Sequence, residues 1–313
     1  MTVRTLAAGI LTVAGGAVLA TAGLALIPAA VAAQATPQNP SPMVERTRTH
    51  ERLPDEAPPG IRFRLEGLFE RPVHVFVPAG MDRSASPTLL IHFHGAAYVA
   101  EHAVAGADRP YVVVAVNAGA GSAAYERPFR DPGLFEALVQ AVASGVREAA
   151  GMDIRPERVV LSGFSAGYGA VRAVLRSPDA ARIGGIILLD GLHTGYDPPA
   201  TGLHDGGTLD APGLAPFVDA ARAAVHGGAP VLITHSEVFP GTFASTTECT
   251  NHILDELGLR RTAVLEWGPV GMQQLGEARS GRLLVQGFAG NSAPDHMDHL
   301  HGLPEFLRRF DSL

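Results

Sequence analysis

Five residues constrain most strongly what this chain folds into. Gly163-Phe164-Ser165-Ala166-Gly167 closes the apolar run 159–162 and opens a helix-like stretch. A serine carried on so tight a strand-to-helix turn leaves no room for side chains at two flanking positions, hence the two glycines. Such a turn lifts Oγ out of the sheet and aims a helix N-terminus at negative charge developing beside it. The bare pattern G-x-S-x-G arises by chance about 0.2 times in a chain with 36 glycines. Its weight therefore comes from the strand before it and the helix after it.

The rest of the chain repeats that alternation. Short apolar runs at 73–77, 89–93, 111–116, 159–162, 186–189, 231–234, 263–267 and 283–286 are rich in Val, Ile and Leu, as strands buried on both faces require. Helical patterns fall at 134–149, 169–176, 215–225, 246–257 and 304–310. Strands alternating with helices predict an α/β fold, a mostly parallel central sheet flanked by helices. No break after residue 61 suggests a second domain, so 61–313 is expected to be one catalytic domain. The longest irregular stretch, 191–213, is too short for a large cap domain.

Composition excludes several alternatives. With 46% apolar and 18% charged residues among 313, the chain is not of the disordered class. The net charge of −7 leaves no basic surplus for nucleic acid. The single cysteine, Cys249, forbids an intramolecular disulfide or a multi-cysteine metal site. It sits at a helix start with a capping Ser or Thr and reads as a buried small side chain.

The N-terminus carries one early charge, Arg4, then a run of Ala, Leu, Val and Gly to about Ala33, closing on Pro28-Ala-Ala-Val-Ala-Ala. This is the pattern of a secretory signal peptide over 1–33 and predicts a secreted or periplasmic protein. The rival reading is an uncleaved membrane anchor, the one case in which the chain contacts a membrane. Residues 34–60 hold six prolines among polar residues and read as an extended leader or linker.

Around the serine turn the chain resembles the α/β-hydrolase superfamily, in particular its serine esterases and lipases, over roughly residues 70–313. Two further motifs carry the resemblance. Leu89-Leu-Ile-His92-Phe-His94-Gly95-Ala96-Ala97 is an apolar strand running into His-Gly-small-small, similar to the family's oxyanion loop. It implies backbone N–H donors at Ala96 or Gly95 beside that of Ala166, with His92 and His94 bracing the loop. The family often has glycine where Ala96 stands, which leaves open which of Gly95, Ala96 and Ala97 donates. The C-terminal strand at 283–286 leads through a small polar loop to Pro294-Asp295-His296-Met297-Asp298-His299-Leu300-His301 and a helix opening at Pro304-Glu305. The resemblance implies His296 as general base, with His299 as alternative and His301 on the helix surface. Asp295 departs from the family's glycine before that histidine.

The acid that must hold the imidazole tautomer has two candidates. Asp190 ends the apolar run one strand after the serine. Glu237 follows the strand 231–234, where the family's aspartate position holds Phe239. Asp190 is preferred, because a carboxylate capping a buried strand needs a partner.

The resemblance thus implies ester hydrolysis through an acyl-enzyme on Ser165, without cofactor or metal, on a small-molecule or lipid-like ester. Amide or peptide hydrolysis uses the same parts, and a catalytically inactive binding protein of this fold is the reading from another class. A metal site built from His193, His204, Asp205, Asp295, His296, Asp298, His299 and His301 lacks any standard ligand spacing. Phe164, Tyr98, Tyr168, Phe239 and Phe243 are candidates to line a substrate pocket.

Overall fold

The alternating apolar runs become strands because each presents two apolar faces to two helical layers. A computed structural model describes residues 53–54, 56–82, 87–154 and 158–313. The expected signal peptide and most of the expected linker lie outside the described residues. The strands are β1 (Gly60–Leu65), β2 (Val73–Pro78), β3 (Thr88–Phe93), β4 (Tyr111–Val116), β5 (Val159–Phe164), β6 (Ile183–Leu189), β7 (Tyr196–Asp197), β8 (Thr208–Leu209), β9 (Val231–His235), β10 (Thr262–Trp267), β11 (Gln273–Ser280) and β12 (Leu283–Phe288). Ten of them form one sheet in the order β1-β2-β4-β3-β5-β6-β9-β12-β11-β10.

The six strands from β4 to β12 pair in parallel, and the two at each end pair antiparallel. Alternate residues of the parallel strands enter opposite cores. Leu89, Ile91 and Phe93 of β3 pack on one side with Phe135, Val142, Val171 and Phe217, while Leu90 packs on the other with Val99, Phe306 and Phe310. The first core is covered by helices α3 (Leu134–Ala150), α4 (Tyr168–Leu175), α5 (Ala215–Val225) and α6 (Thr246–Glu256). The second lies under α1 (Ala97–Ala105), α7 (Ala293–His301) and α8 (Leu303–Asp311); the short helix α2 (Ser122–Glu126) sits near the start of α4. A fully buried Leu or Phe of this kind contributes roughly 1.5–3 kcal/mol by leaving water.

Four expectations need correction. The segment 263–267 was expected to be a buried strand, yet β10 is an exposed antiparallel edge with Leu265 and Trp267 about three-quarters exposed. The histidine stretch, expected to precede a helix opening at Pro304-Glu305, is itself helical from Ala293 on. Its cause is local: Ser292 donates through N–H and Oγ to Asp295 Oδ2, at 2.9 and 2.6 Å, and Pro294 sits in the first turn. His301 ends that helix 1% exposed, so it is a buried side chain rather than a surface one. The stretch 191–213 is also not wholly irregular, since β7 and β8 form a two-stranded ribbon within it. Among the described residues, no helix is long and apolar enough to cross a membrane.

Candidate active site

Strand register brings the serine and the aspartate together. Phe164 of β5 pairs with Leu189 of β6, so the next residues, Ser165 and Asp190, leave adjacent strands side by side. Both sit at positive φ, 46° and 40°, a region costly for residues with a Cβ. Close packing enforces the turn. A Cβ on Gly167 would meet the Phe93 carbonyl oxygen at 2.2 Å, and one on Gly163 would meet the Gly167 carbonyl carbon at 3.0 Å. Gly167 is therefore sterically required, and Gly163 is tightly packed. Gly191 was not singled out, yet a Cβ there would lie 2.5 Å from both Ser165 N and O.

His296 stands in the first turn of α7, directly after β12. Its ring packs 4.6 Å from the ring of Phe164, the residue before the serine. Its Nδ1 lies 2.7 Å from Asp190 Oδ2. Taken as Nδ1–H donating to the carboxylate, this bond leaves Nε2 as the basic atom. Asp190 is 3% exposed and fully engaged: Ser236 N–H donates to Oδ1 at 2.9 Å and Ser236 Oγ–H to Oδ2 at 2.6 Å. Burial alone would push the Asp190 carboxyl up. The imidazoles of His299 and His296 and the hydrogen bonds from His296 and Ser236 outweigh it, holding the group well below the usual carboxylate range.

The alternatives from the sequence fall elsewhere. Glu237 is exposed, and its backbone N–H donates to Gly290 O at 2.8 Å. His299 is fully buried, with Nδ1 2.7 Å from Thr234 Oγ1, and burial lowers its pKa to about 4. It is a neutral strut under Asp190, whose N–H also reaches Thr234 Oγ1 at 3.3 Å. Cys249 is buried, which pushes its thiol up to about 12. Among the described residues, no three His, Cys, Asp or Glu side chains are gathered where they would hold a metal ion.

The loop after β3 turns through His94 at φ 70° and Gly95 at φ 132° into α1. The positive φ favours glycine there, and a Cβ would also crowd the Leu300 Cδ1 methyl at 2.8 Å. His94 braces the loop as expected: Nδ1 lies 2.6 Å from Tyr125 OH, its ring stacks on Phe164 at 5.9 Å, and its N–H donates to Val116 O. Tyr125 OH in turn donates to Asn117 Oδ1 or Gly119 O, a brace the sequence did not reveal. His92 is buried, its Nδ1 2.9 Å from Ser162 Oγ. The N–H groups of Gly95 and Ala96 make no backbone hydrogen bond among the described residues. Ala166 follows Ser165 at the start of a 3-10 turn, where N–H groups have no partner within the turn.

A cavity of about 610 Å³ opens at Ser165. Ala166, Tyr168, Arg172, His193 and Phe243 are among its walls; Gly95, Ala96 and His296 are not. Of the five aromatic candidates, Tyr168 and Phe243 line it, whereas Phe164, Tyr98 and Phe239 do not. His193, which the sequence offered only as a metal candidate, stands between the Tyr168 and Phe243 rings with Nδ1 2.8 Å from Ala244 O.

No protein-family model and no curated protein matches the chain. Solved structures similar to it include a truncated carbohydrate esterase from gut microbiota, at 12% identity and a TM-score of 0.47, covering 83% of this chain and 99% of that one. A thermophilic esterase from the Planctomycetes species Thermogutta terrifontis follows at 15% and 0.45, covering 81% and 95%. An acylaminoacyl peptidase of Pyrococcus horikoshii matches at 14% and 0.43 over 82% of this chain but 40% of its own length. These likenesses concern fold alone. The chain's own features carry the fold: a ten-stranded sheet parallel through its middle, a strained serine turn between strand and helix, and a small-residue loop after β3 are those of the α/β-hydrolase fold.

Proposed function

We propose that this protein is a serine hydrolase that cleaves carboxylic esters through an acyl-enzyme on Ser165. His296 is the general base and Asp190 the acid that orients it. The observation carrying this reading is the 2.7 Å bond between His296 Nδ1 and a buried, doubly anchored Asp190, one residue beyond strand partners that also launch Ser165.

The chemistry follows from those parts. His296 Nε2 takes the Ser165 proton as Oγ attacks the ester carbon, and the imidazolium that forms is stabilised by Asp190. The carbonyl oxygen gains charge and is met by N–H groups of Ala166 and of the Gly95–Ala96 loop. His296 then protonates the departing alkoxide, and water, deprotonated by the same nitrogen, releases the acid. The 1–33 segment supports export of the enzyme, with cleavage after Ala32 or Ala33.

The test is labelling of the purified protein by a fluorophosphonate beside Ser165→Ala. Labelling of the wild type alone is expected. A folded wild type that resists the probe would sink the proposal.

A further inference from the structure

The wall of the Ser165 cavity contains a cation that the reaction scheme does not use. Tyr168 and Arg172 stand four residues apart on α4 and therefore share one face. The Arg172 guanidinium carbon lies 5.1 Å from the Tyr168 ring centroid, and Nη2 donates to Glu126 Oε2 at 2.5 Å. The side chain is only 13% exposed. Its Nε is buried without an acceptor, and Nη1 meets none among the described residues. Glu126 is also shared, since Arg176 Nη1 approaches its other oxygen at 4.0 Å. Two guanidinium groups thus share one carboxylate, Arg176 from a 44% exposed position, so Glu126 is not held by Arg172 alone. Asp210, the acidic side chain lining the same cavity, is exposed to solvent and so screened.

The Nε is cut off from water without an acceptor, which is costly, while Nη1 is not among the buried unpartnered atoms and so is open to an incoming group. Stacking and the ion pair hold the guanidinium in one orientation, which is the condition for recognising an anion. The side of the serine it serves is also defined. His296 must reach the leaving oxygen, and His296 does not line this cavity, so the cavity takes the acyl portion. Seven residues of mostly helical rise put the Arg172 Cα on the order of 10 Å from Ser165, and helical side chains lean back toward the N-terminus. The remaining gap suits a short carbon chain.

We propose that the cavity is an acyl subsite for a group ending in a carboxylate, with Arg172 as its specificity-determining residue. The substrates are then monoesters of short dicarboxylic acids. Water adds across the acyl C–O bond, releasing a dicarboxylate and an alcohol, and no further reactant is needed. The inference rests on Ser165 being the nucleophile.

The experiment compares monomethyl adipate and monomethyl pimelate with methyl hexanoate and methyl heptanoate, by methanol release, in wild type, Arg172→Met and Arg172→Lys. A charge-assisted bond predicts a kcat/KM preference for the monoesters of roughly tenfold or more. That ratio should collapse in Arg172→Met, recover in part in Arg172→Lys, and weaken with added salt in the wild type. The salt series needs no variant, so loss of the Glu126 bridge does not cloud it. Wild type that labels with fluorophosphonate and hydrolyses all four esters without preference overturns the subsite alone. An equal loss on charged and neutral esters in Arg172→Met gives Arg172 a structural role and overturns it as well. Wild type that neither labels nor hydrolyses any ester removes the Ser165 reading, and this inference with it.

Discussion

Ser236 grips Asp190 twice, its backbone N–H on Oδ1 at 2.9 Å and its hydroxyl on Oδ2 at 2.6 Å, the same oxygen that meets His296. Ser236 itself is 1% exposed, and its Oγ accepts from Val238 N–H at 3.2 Å. Removing the hydroxyl leaves a buried carboxylate short of one donor, a loss on the order of 1.5–3 kcal/mol. Ser236→Ala should therefore lower kcat by about tenfold with a smaller change in KM, and shift the acid limb of the pH–rate profile. Thermal unfolding alone would report destabilisation; the shifted limb reports the altered charge at Asp190. An unshifted profile with unchanged kcat would show that the hydroxyl does not position the acid.

The two carboxylates read from the sequence are separable by mutation. Asp190→Asn retains shape but presents the wrong hydrogen-bonding partner to Nδ1, and a loss on the order of 10⁴ in kcat is expected. Glu237→Gln, at an exposed position with no bond to His296, should leave kcat within about twofold. Steady-state kinetics on one ester decide it. The reverse ranking would place the acid at Glu237.

Gly191→Ala adds a methyl directly against the backbone of the proposed nucleophile. Its Cβ would lie 2.5 Å from both Ser165 N and O, and backbone cannot yield as a flexible side chain would. The expected result is a stability loss of about 1–3 kcal/mol together with loss of fluorophosphonate labelling. Gly258→Ala serves as the comparison: its φ of 66° is positive, unlike that of Gly191, but nothing lies within 4 Å of the added Cβ, so labelling should persist. Equal labelling of both variants would contradict the proposed packing.

Acid should unfold this protein through its buried histidines. His92, His235 and His299 are each lowered from 6.5 to about 4, by burial first and, for His235, by Arg261 next. Because the unfolded chain takes up these protons first, stability is full above about pH 6.5 and falls as pH drops toward 4. Each group contributes up to about 3 kcal/mol of that loss. Urea midpoints measured at pH 8, 6, 5 and 4 should decline steeply through this window. A flat series would mean these side chains are not buried neutral.

Most of the parallel sheet was legible because strands buried on both faces must be continuously apolar, as Leu89–Phe93 and Tyr111–Val116 are. The antiparallel ends were harder. Gly60–Leu65 carries Arg62 and Arg64, and Gln273–Ser280 mixes Gln, Glu and Arg, because each has one wet face and so resembles a loop. The roles proposed for Ser165 and His296 rest on local glycines and chain order. Asp190 was only preferred over Glu237 in the sequence, since what sets it beside Ser165 is the register of Phe164 with Leu189. Ser236 and Tyr125 had no signal at all: each acts through a partner many residues away, and nothing local sets them apart from other serines and tyrosines. Arg172 was hidden for a related reason, as a charge in an amphipathic helix ordinarily faces water.

The central claim, that Ser165 becomes acylated, is tested most directly by rapid mixing with a 4-nitrophenyl ester, followed by acid quench and peptide mass analysis. The account predicts a burst of nitrophenol near one equivalent per protein and an acyl group on the peptide containing Ser165, accumulating when deacylation is slow. Turnover of the ester with the acyl group on another residue, or with Ser165→Ala as active as the wild type, would contradict it.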